Sequence, residues 1–357
     1  GGPGTGKSTI TKAILTITER IANQIVLAAP TGRAAKRMSE ITGKKASTIH
    51  SLLEMDFKIG KFKRNKQNPI CCDLLIIDEA SMIDTQLMYN LLKAVPDDAR
   101  IILIGDIDQL PSIGPGNVLK DLIASERISV TELKKIFRQG AGSLIVTNAH
   151  RINQGQFPDI SYHPRSDFQF IEKEDPQDVI DTIVNLIGNQ LPKAYRFHRF
   201  DDIQVLSPMK RGLIGSENLN VVLQQKLNPS PTALHRMGRS FQIGDKVMQI
   251  RNNYEKEVYN GDVGKITEID LTEQTLKVVF DLKIISYDFT QIDELILAYA
   301  VSIHKYQGSE CPCIIIPIHT SHFKMLYRNL LYTGLTRGKK RVVFVGTKKA
   351  LAIAVKN

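Results

Sequence analysis

The 357-residue chain is 42% hydrophobic and 24% charged, the balance of a soluble globular protein, at a length that implies two or three domains. No apolar run approaches the ~18 residues that span a bilayer, and no secretory leader precedes the first motif, so a cytoplasmic setting with no membrane partner is expected. Lysine and arginine exceed aspartate and glutamate by ten, which suits a polyanionic partner without identifying one.

The chain opens on Gly1–Ser8, GGPGTGKS, a full G-x-x-x-x-G-K-[ST] phosphate loop. Its glycines let the backbone curl so that N–H groups face phosphate oxygens. Gly2, Gly4, Thr5, Gly6, Lys7, Ser8 and Thr9 are therefore candidate ATP contacts, with Lys7 reaching the β- and γ-phosphates and Ser8 holding Mg²⁺. The stretch Thr9 to Arg20 reads as a helix whose positive N-terminal end adds to the anion site. Phosphate loops ordinarily follow a central strand, so the expectation is a C-terminal motor fragment of a longer protein.

Ile25 to Ala28 reads as a strand. Met55 to Gln67, MDFKIGKFKRNKQ, is strongly basic, and Ile59-Gly60 suits a short hairpin turn; a solvated basic loop is the other reading of these residues. Asp73 to Ile77 is an apolar run that ends in Asp78-Glu79. Such runs fit strands buried on both faces of a parallel sheet, where ligands sit at the carboxyl ends. Asp78 is thus a second Mg²⁺ ligand, and Glu79 a candidate to polarise the attacking water. Arg100 to Ile104, Ile203 to Leu206, Ile314 to Pro317 and Val342 to Val345 are further strands with helical stretches between many of them, an α/β pattern. Ser207 to Gly212 forms a loop after one of them. From 232 to 296 the pattern changes to short strands, with an Asn260-Gly261 hairpin signal, and suggests a small β-barrel. Cys71-Cys72 and Cys311-Pro312-Cys313 lack common zinc spacing and read as small buried hydrophobes, Cys71 and Cys72 pointing to opposite faces.

An ordered set of segments resembles the superfamily 1 DNA helicases of the RecD-like type, either stand-alone RecD-like helicases or the RecD subunit (exonuclease V alpha) of a recombination nuclease complex. They are Ala29-Pro30-Thr31-Gly32-Arg33-Ala34-Ala35, Ser47-Thr48-Ile49-His50, Asp78-Glu79-Ala80-Ser81 and Gly105-Asp106-Ile107-Asp108-Gln109-Leu110-Pro111. Phe137-Arg138-Gln139, Ser302 to Glu310 (SIHKYQGSE) and Tyr332-Thr333-Gly334-Leu335-Thr336-Arg337 complete the set. The resemblance implies two RecA-like P-loop NTPase domains with parallel sheets and ATP between them, plus an inserted SH3-like barrel. The first domain is 1–150 with the basic hairpin at about 55–67, which the resemblance implies is a pin near the strand-separation junction. The second is 151–231 and 297–357, interrupted by the barrel at 232–296.

The resemblance further implies ATP-driven, 5′ to 3′ translocation on single-stranded DNA and unwinding at duplex junctions, in repair or recombination. Gln109, Arg138 and Arg337 would act at the γ-phosphate, and Gly308 and Glu310 near the nucleotide. An arginine suits this role because its guanidinium is planar and permanently charged. Sequence-blind DNA contacts are expected from Pro30, Thr31, Gly32, Arg33, Thr48 and His50, and from Lys61, Lys63 and Arg64 in the hairpin. Lys210, Ser302, His304, Lys305 and Gln307 are expected to add to them, with Arg251, Tyr254 and Lys256 of the barrel. The sequence departs from the family pattern at Ser302, Tyr306 and Gly338, none of which removes a catalytic group. Two other readings stand beside the active helicase: a RecD-type subunit active only with recombination-complex partners, and a non-catalytic DNA-binding remnant.

Overall fold

The computed structural model describes residues 1–56, 59–133, 142–161, 166–230, 233–236, 238–281 and 283–357. They form two compact units, Gly1–Gly142 and Ser143–Asn357.

The first unit is a parallel sheet covered by helices. In chain order it contains α1 (Lys7–Thr18), β1 (Ile25–Ala29), α2 (Gly32–Thr42), β2 (Ala46–Thr48), α3 (Ile49–Leu52), β3 (Met55–Asp56), β4 (Lys61–Phe62), β5 (Leu74–Ile77), α4 (Thr85–Ala94), β6 (Arg100–Leu103) and α5 (Val118–Ala124). The sheet runs β2-β1-β5-β6, all parallel. All four β5 residues are buried, and their side chains alternate between two cores. Leu74 and Ile76 join Leu15, Leu27 and Met38 on one face. Leu75 and Ile77 join Ile49, Leu53 and Leu91 on the other. This period of two is why the strand reads as an unbroken apolar run. Helix α4 starts where the Asp84 carboxylate accepts from the Leu87 amide at 2.7 Å, and it buries Leu87, Met88, Leu91 and Ala94 along one stripe. The hairpin is present: β3 and β4 pair antiparallel, and Gly60 takes φ +66°, the left-handed region that glycine enters without penalty.

The second unit begins with α6 (Leu144–Asn153), β7 (Phe168–Glu172), α7 (Pro176–Asn185), α8 (Leu191–Tyr195), β8 (Ile203–Ser207) and α9 (Ser216–Leu227). The chain then enters a β-rich insertion: β9 (Leu234–Arg236), β10 (Arg239–Phe241), β11 (Lys246–Gln249), β12 (Val263–Asp270), β13 (Thr275–Phe280), β14 (Lys283–Asp288) and β15 (Leu295–Leu297). It returns through β16 (Ala300–Ser302), β17 (Cys311–Ile318), α10 (Arg328–Leu335), β18 (Gly338–Gly346) and α11 (Lys348–Lys356). The larger sheet runs β16-β8-β17-β18-β7, again wholly parallel. The insertion is antiparallel, ordered β14-β13-β12-β11-β15, around Phe241, Val247, Ile266, Leu276, Val278 and Tyr287.

Three expectations change. The boundary at residue 150 falls inside α6, which belongs wholly to the second unit; Asp167 accepts from the Leu144 and Ile145 amides at its start, and the helix packs on α10. Asn260-Gly261 is not a two-residue hairpin turn. It ends the long connection from β11 to β12, which is held by the Asp262 carboxylate accepting from the Tyr259 amide and by Asn252 accepting from the Asn260 amide. Cys71 is exposed, whereas Cys72, Cys311 and Cys313 are buried. Among the described residues, no helix is long and apolar enough to cross a membrane.

Candidate functional site

The carboxyl edge of the first sheet assembles the phosphate loop and the acidic motif. Gly4 and Gly6 take φ values of +72° and +84°, and α1 starts directly after Gly6. The first turn of that helix therefore presents free amide N–H groups beside Lys7 and Ser8. The Lys7 ammonium donates to the Gly1 and Gly2 carbonyls at 2.6 and 2.9 Å, which folds it over the loop. Thr5 is buried and donates to the Gly2 carbonyl, so its hydroxyl shapes the loop. The Gly1 nitrogen donates to the Gly105 carbonyl at 3.0 Å, tying the loop to the end of β6.

Asp78 follows β5 immediately, and its amide donates to the Ala28 carbonyl at 3.1 Å. One of its carboxylate oxygens accepts from the Glu79 amide at 2.8 Å. Glu79 has φ +52°, a left-handed conformation that a side chain with a Cβ adopts at a cost of roughly 1–3 kcal/mol. Strain of this kind, at the turn between a buried strand and the 80–82 turn, fixes where the second carboxylate stands. Gln109 is buried, and its amide donates to the Asp106 carboxylate at 3.0 Å; Asp106 also accepts from the Asp108 amide. Asp106 is the positioning residue that sequence reading missed, although it lies inside the quoted motif. The oxygens of Ser8 and Asp78 are hard donors suited to Mg²⁺. Among the described residues no cluster of three or more His, Cys, Asp or Glu would hold a metal alone, but Mg²⁺ needs only one or two protein oxygens beside phosphates and water. Arg138 and its neighbours Phe137 and Gln139 lie outside the described residues.

The other expected contacts of this unit divide by role. Pro30, Thr31, Gly32 and Arg33 follow β1, and the Thr31 hydroxyl caps α2 by accepting from the Ala34 amide. Thr48 is buried and caps α3 in the same way through the Ser51 amide, so its hydroxyl is already engaged. The His50 ring lies 5.8 Å from Phe62, and burial holds its pKa below the ordinary imidazole range against the opposing pull of Asp84. In the hairpin Lys61 and Lys63 are exposed. Arg64 instead forms an ion pair with Glu54 at 2.6 Å and donates to the Pro69 carbonyl, which makes it the brace of the hairpin base.

The carboxyl edge of the second sheet carries cations. Ser207 and Ser302 sit opposite each other at the ends of paired β8 and β16. The Ser207 hydroxyl meets the Met209 and Ile214 carbonyls and folds the loop that carries Lys210. Gly215 closes that loop, since a Cβ there would stand 2.4 Å from the Arg211 carbonyl oxygen. Lys210, Arg239, His304 and Lys305 converge electrostatically. Burial lowers the Lys305 pKa first, and the charges of Lys210 and Arg239 lower it further; His304 is lowered by burial and then by Lys210. The Tyr327 hydroxyl lies 3.3 Å from His304 Nε2, a partner that no local motif announced. Ser302 and Gln307 are buried rather than presented at the surface, and Ser302 Oγ accepts from the Lys305 amide.

Gly308 has φ +74°, and Glu310 pairs with Lys339 at 3.5 Å. Arg337 is 3% exposed, its guanidinium donating to the Thr333 and Ser309 carbonyls at 3.2 and 3.4 Å and to the Thr336 hydroxyl. In the barrel, Lys256 is committed to the Ser286 carbonyl and the Gln291 side chain, and Arg251 to Asp293. Tyr254 packs against Tyr259.

Three family models match in chain order: an AAA domain over residues 1–115, an ATP-dependent RecD-like DNA helicase SH3 domain over 219–280, and a UvrD-like helicase C-terminal domain over 297–345. The chain is 36% identical over 354 residues to the ATP-dependent RecD2 DNA helicase of Deinococcus radiodurans, covering 99% of this chain and 47% of that protein. It therefore spans about half the length of that relative. It is 27% identical to the RecBCD enzyme subunit RecD of Mycolicibacterium smegmatis, over 99% of this chain and 69% of the relative. Among solved structures, the Pif1 helicase from Bacteroides in complex with ADP-AlF3 and ssDNA matches with TM-score 0.60 at 20% identity, covering 96% of this chain and 87% of that one. Pif1 from Candida albicans matches with TM-score 0.59 at 18% identity, over 99% and 91%. At such identities these structures establish the fold alone. The match to the RecD-like SH3 domain lies between the match to an AAA domain and the match to a UvrD-like helicase C-terminal domain, the order that the resemblance to RecD-like helicases implies.

Proposed function

We propose that this chain is the motor core of an ATP-dependent DNA helicase that moves 5′ to 3′ along single-stranded DNA and unwinds duplex junctions, in repair or recombination. The observation that carries the proposal is the phosphate loop, turned by two positive-φ glycines into the start of α1, together with Asp78-Glu79 directly after the buried strand β5. The RecD2 relative is itself named an ATP-dependent DNA helicase. When bound, Mg²⁺ neutralises phosphate charge as the γ-phosphoryl group transfers. In this reading Lys7 and the α1 amides hold the phosphates, Ser8 and Asp78 hold the metal, and Glu79 orients the water. Arg138 and Arg337 are assigned to the charge that develops on the transferring group. Lys210, His304 and Lys305 hold the DNA backbone without reading bases. The polarity rests on the family resemblance.

The test is ATP hydrolysis with and without single-stranded DNA, followed by unwinding of duplexes carrying a 5′ or a 3′ tail. Stimulated turnover with unwinding of the 5′-tailed duplex supports the proposal. Absence of turnover in folded protein overturns it. A second reading is favoured by the similarity to a RecBCD enzyme subunit RecD: a motor that works with recombination-complex partners. Turnover that appears only on adding such partners would select it.

A further inference from the structure

The chain leaves the second parallel domain for the barrel once and returns once, and both crossings meet at a single carboxylate. Asp245, at the start of β11, has no exposed surface. One of its oxygens accepts from Gln224 Nε2 of α9 at 2.5 Å and from the Gln242 amide at 2.7 Å. The other accepts from Asn228 Nδ2, just past α9, at 2.8 Å and from the Tyr299 hydroxyl, on the return crossing, at 2.9 Å. Four donors on two oxygens fill a carboxylate's capacity in directions that fix its position.

The bonds around it continue the seam. Lys246, the next residue, donates to the Ile203 carbonyl at the start of β8. Gln204 donates to the Ala298 and Tyr299 carbonyls, and Asn220 exchanges two bonds with Ala300. Gln224, Gln204, Asn220 and Lys246 are all buried. An apolar junction would tolerate sliding, because apolar contacts carry little direction; a satisfied polar seam permits one arrangement. The barrel has its own apolar core.

We infer that Asp245 is a positioning residue that locks the barrel to the second motor domain, so that the two move as one body during strand separation. The functional half of this inference rests on the helicase reading above; the mechanical half does not. The test uses the full chain and two variants. Asp245→Ala removes the acceptor for all four donors, and Tyr299→Phe removes one donor while keeping the ring. Hydrogen exchange is measured at Gln242–Lys246 and Ala298–Ala300, and at Leu276 and Val278 inside the barrel. Unwinding per ATP hydrolysed is measured on a forked duplex.

For Asp245→Ala, exchange at the junction is expected to rise about tenfold with the barrel interior unchanged. Unwinding per ATP is expected to fall about fivefold or more, while the maximal DNA-stimulated ATPase rate stays within about twofold. Tyr299→Phe should move each quantity in the same direction by less. Unchanged junction exchange overturns the lock. Exchange that rises equally inside the barrel also overturns it, because Asp245 is then only a folding residue. A loosened junction with normal unwinding per ATP overturns the coupling. If the unaltered protein shows no DNA-stimulated ATPase, the helicase reading fails, and the exchange data still decide the lock.

Discussion

The two parallel sheets share a design and differ in the chemistry at their carboxyl edges. The first offers mainly backbone: two positive-φ glycines, a helix start and one lysine, followed by Asp78 and Glu79. The second uses side chains: Lys210, His304 and Lys305 on loops after β8 and β16, with Arg239 adding its charge to the same field. A backbone cradle with adjacent carboxylates suits a metal-bound triphosphate held in one geometry. A cluster of cationic side chains suits a polymer whose phosphates arrive in register after register. The sheets are scaffolds of similar kind; the loops at their ends decide what each binds.

The sharpest way to break the comparison is to remove the one side chain on which the first edge depends. Lys7→Ala is expected to reduce ATP hydrolysis by about 10³-fold or more, with DNA binding largely retained. Turnover within tenfold of the unaltered protein would show that the loop is not the catalytic cradle. Arg337→Ala should reduce the maximal rate by about 10²–10³-fold while leaving nucleotide affinity within a few-fold. A melting curve must accompany it, since the buried guanidinium satisfies the Thr333 and Ser309 carbonyls. Loss of nucleotide affinity in step with the rate would assign Arg337 to binding instead.

A third prediction concerns only the second unit. Burial, and then the neighbouring His319, lower the His322 pKa to about 4 from the ordinary 6.5, with a partial offset from the Ile214 carbonyl. The unfolded chain then takes up a proton that the folded chain refuses. Stability is therefore complete above pH 6.5 and is lost as pH falls toward 4, by about 3 kcal/mol in all. His322→Leu should flatten this part of the acid limb in denaturant titrations; an unchanged limb would remove His322 as its source.

A fourth, smaller effect tests the cationic edge. Lys210→Ala and Lys305→Ala should each lower the slope of log affinity against log salt by about 0.7 on single-stranded DNA, with ATP binding unaffected. An unchanged slope for both would take this edge out of the phosphate path.

Where the chemistry depended on spacing within one short segment, the sequence was readable. The phosphate loop, the buried β5 run ending in Asp78, and the hairpin turning at Gly60 all stand where periodicity and glycine placement put them. The family resemblance ordered the domains, and the matched models follow that order. What stayed hidden depends on distant partners. Nothing in FQIGDK marks Asp245 as a carboxylate to be met by Gln224, Asn228 and Tyr299 from 17 to 54 positions away. Nor does SIHKY show that Tyr327 reaches His304, or that Glu54 claims Arg64. The misplaced boundary has the same origin: α6 looks like a continuation of the first domain until Asp167 is seen to start it. The Asn-Gly signal misled because side-chain bonds from Asp262 and Asn252 shape the turn more strongly than the dipeptide preference.

The hairpin of the first unit offers the mildest and most selective test. Its two exposed cations are Lys61 on β4 and Lys63 beside the Arg64–Glu54 pair that braces the base, so their charges can be changed with both partners of that pair kept. A pin only has to stop separated strands from closing, and each base-pair step it guards is worth about 1–2 kcal/mol of stacking. Lys61→Glu with Lys63→Glu should therefore lower unwinding by several-fold, about one stacking step in free-energy terms, and leave DNA-stimulated ATPase within about twofold. Equal loss in both assays would make these lysines ordinary DNA contacts. Arg64→Ala should harm unwinding through the base of the hairpin instead, and do so with no change in the salt dependence of DNA binding, because its charge is already spent on Glu54.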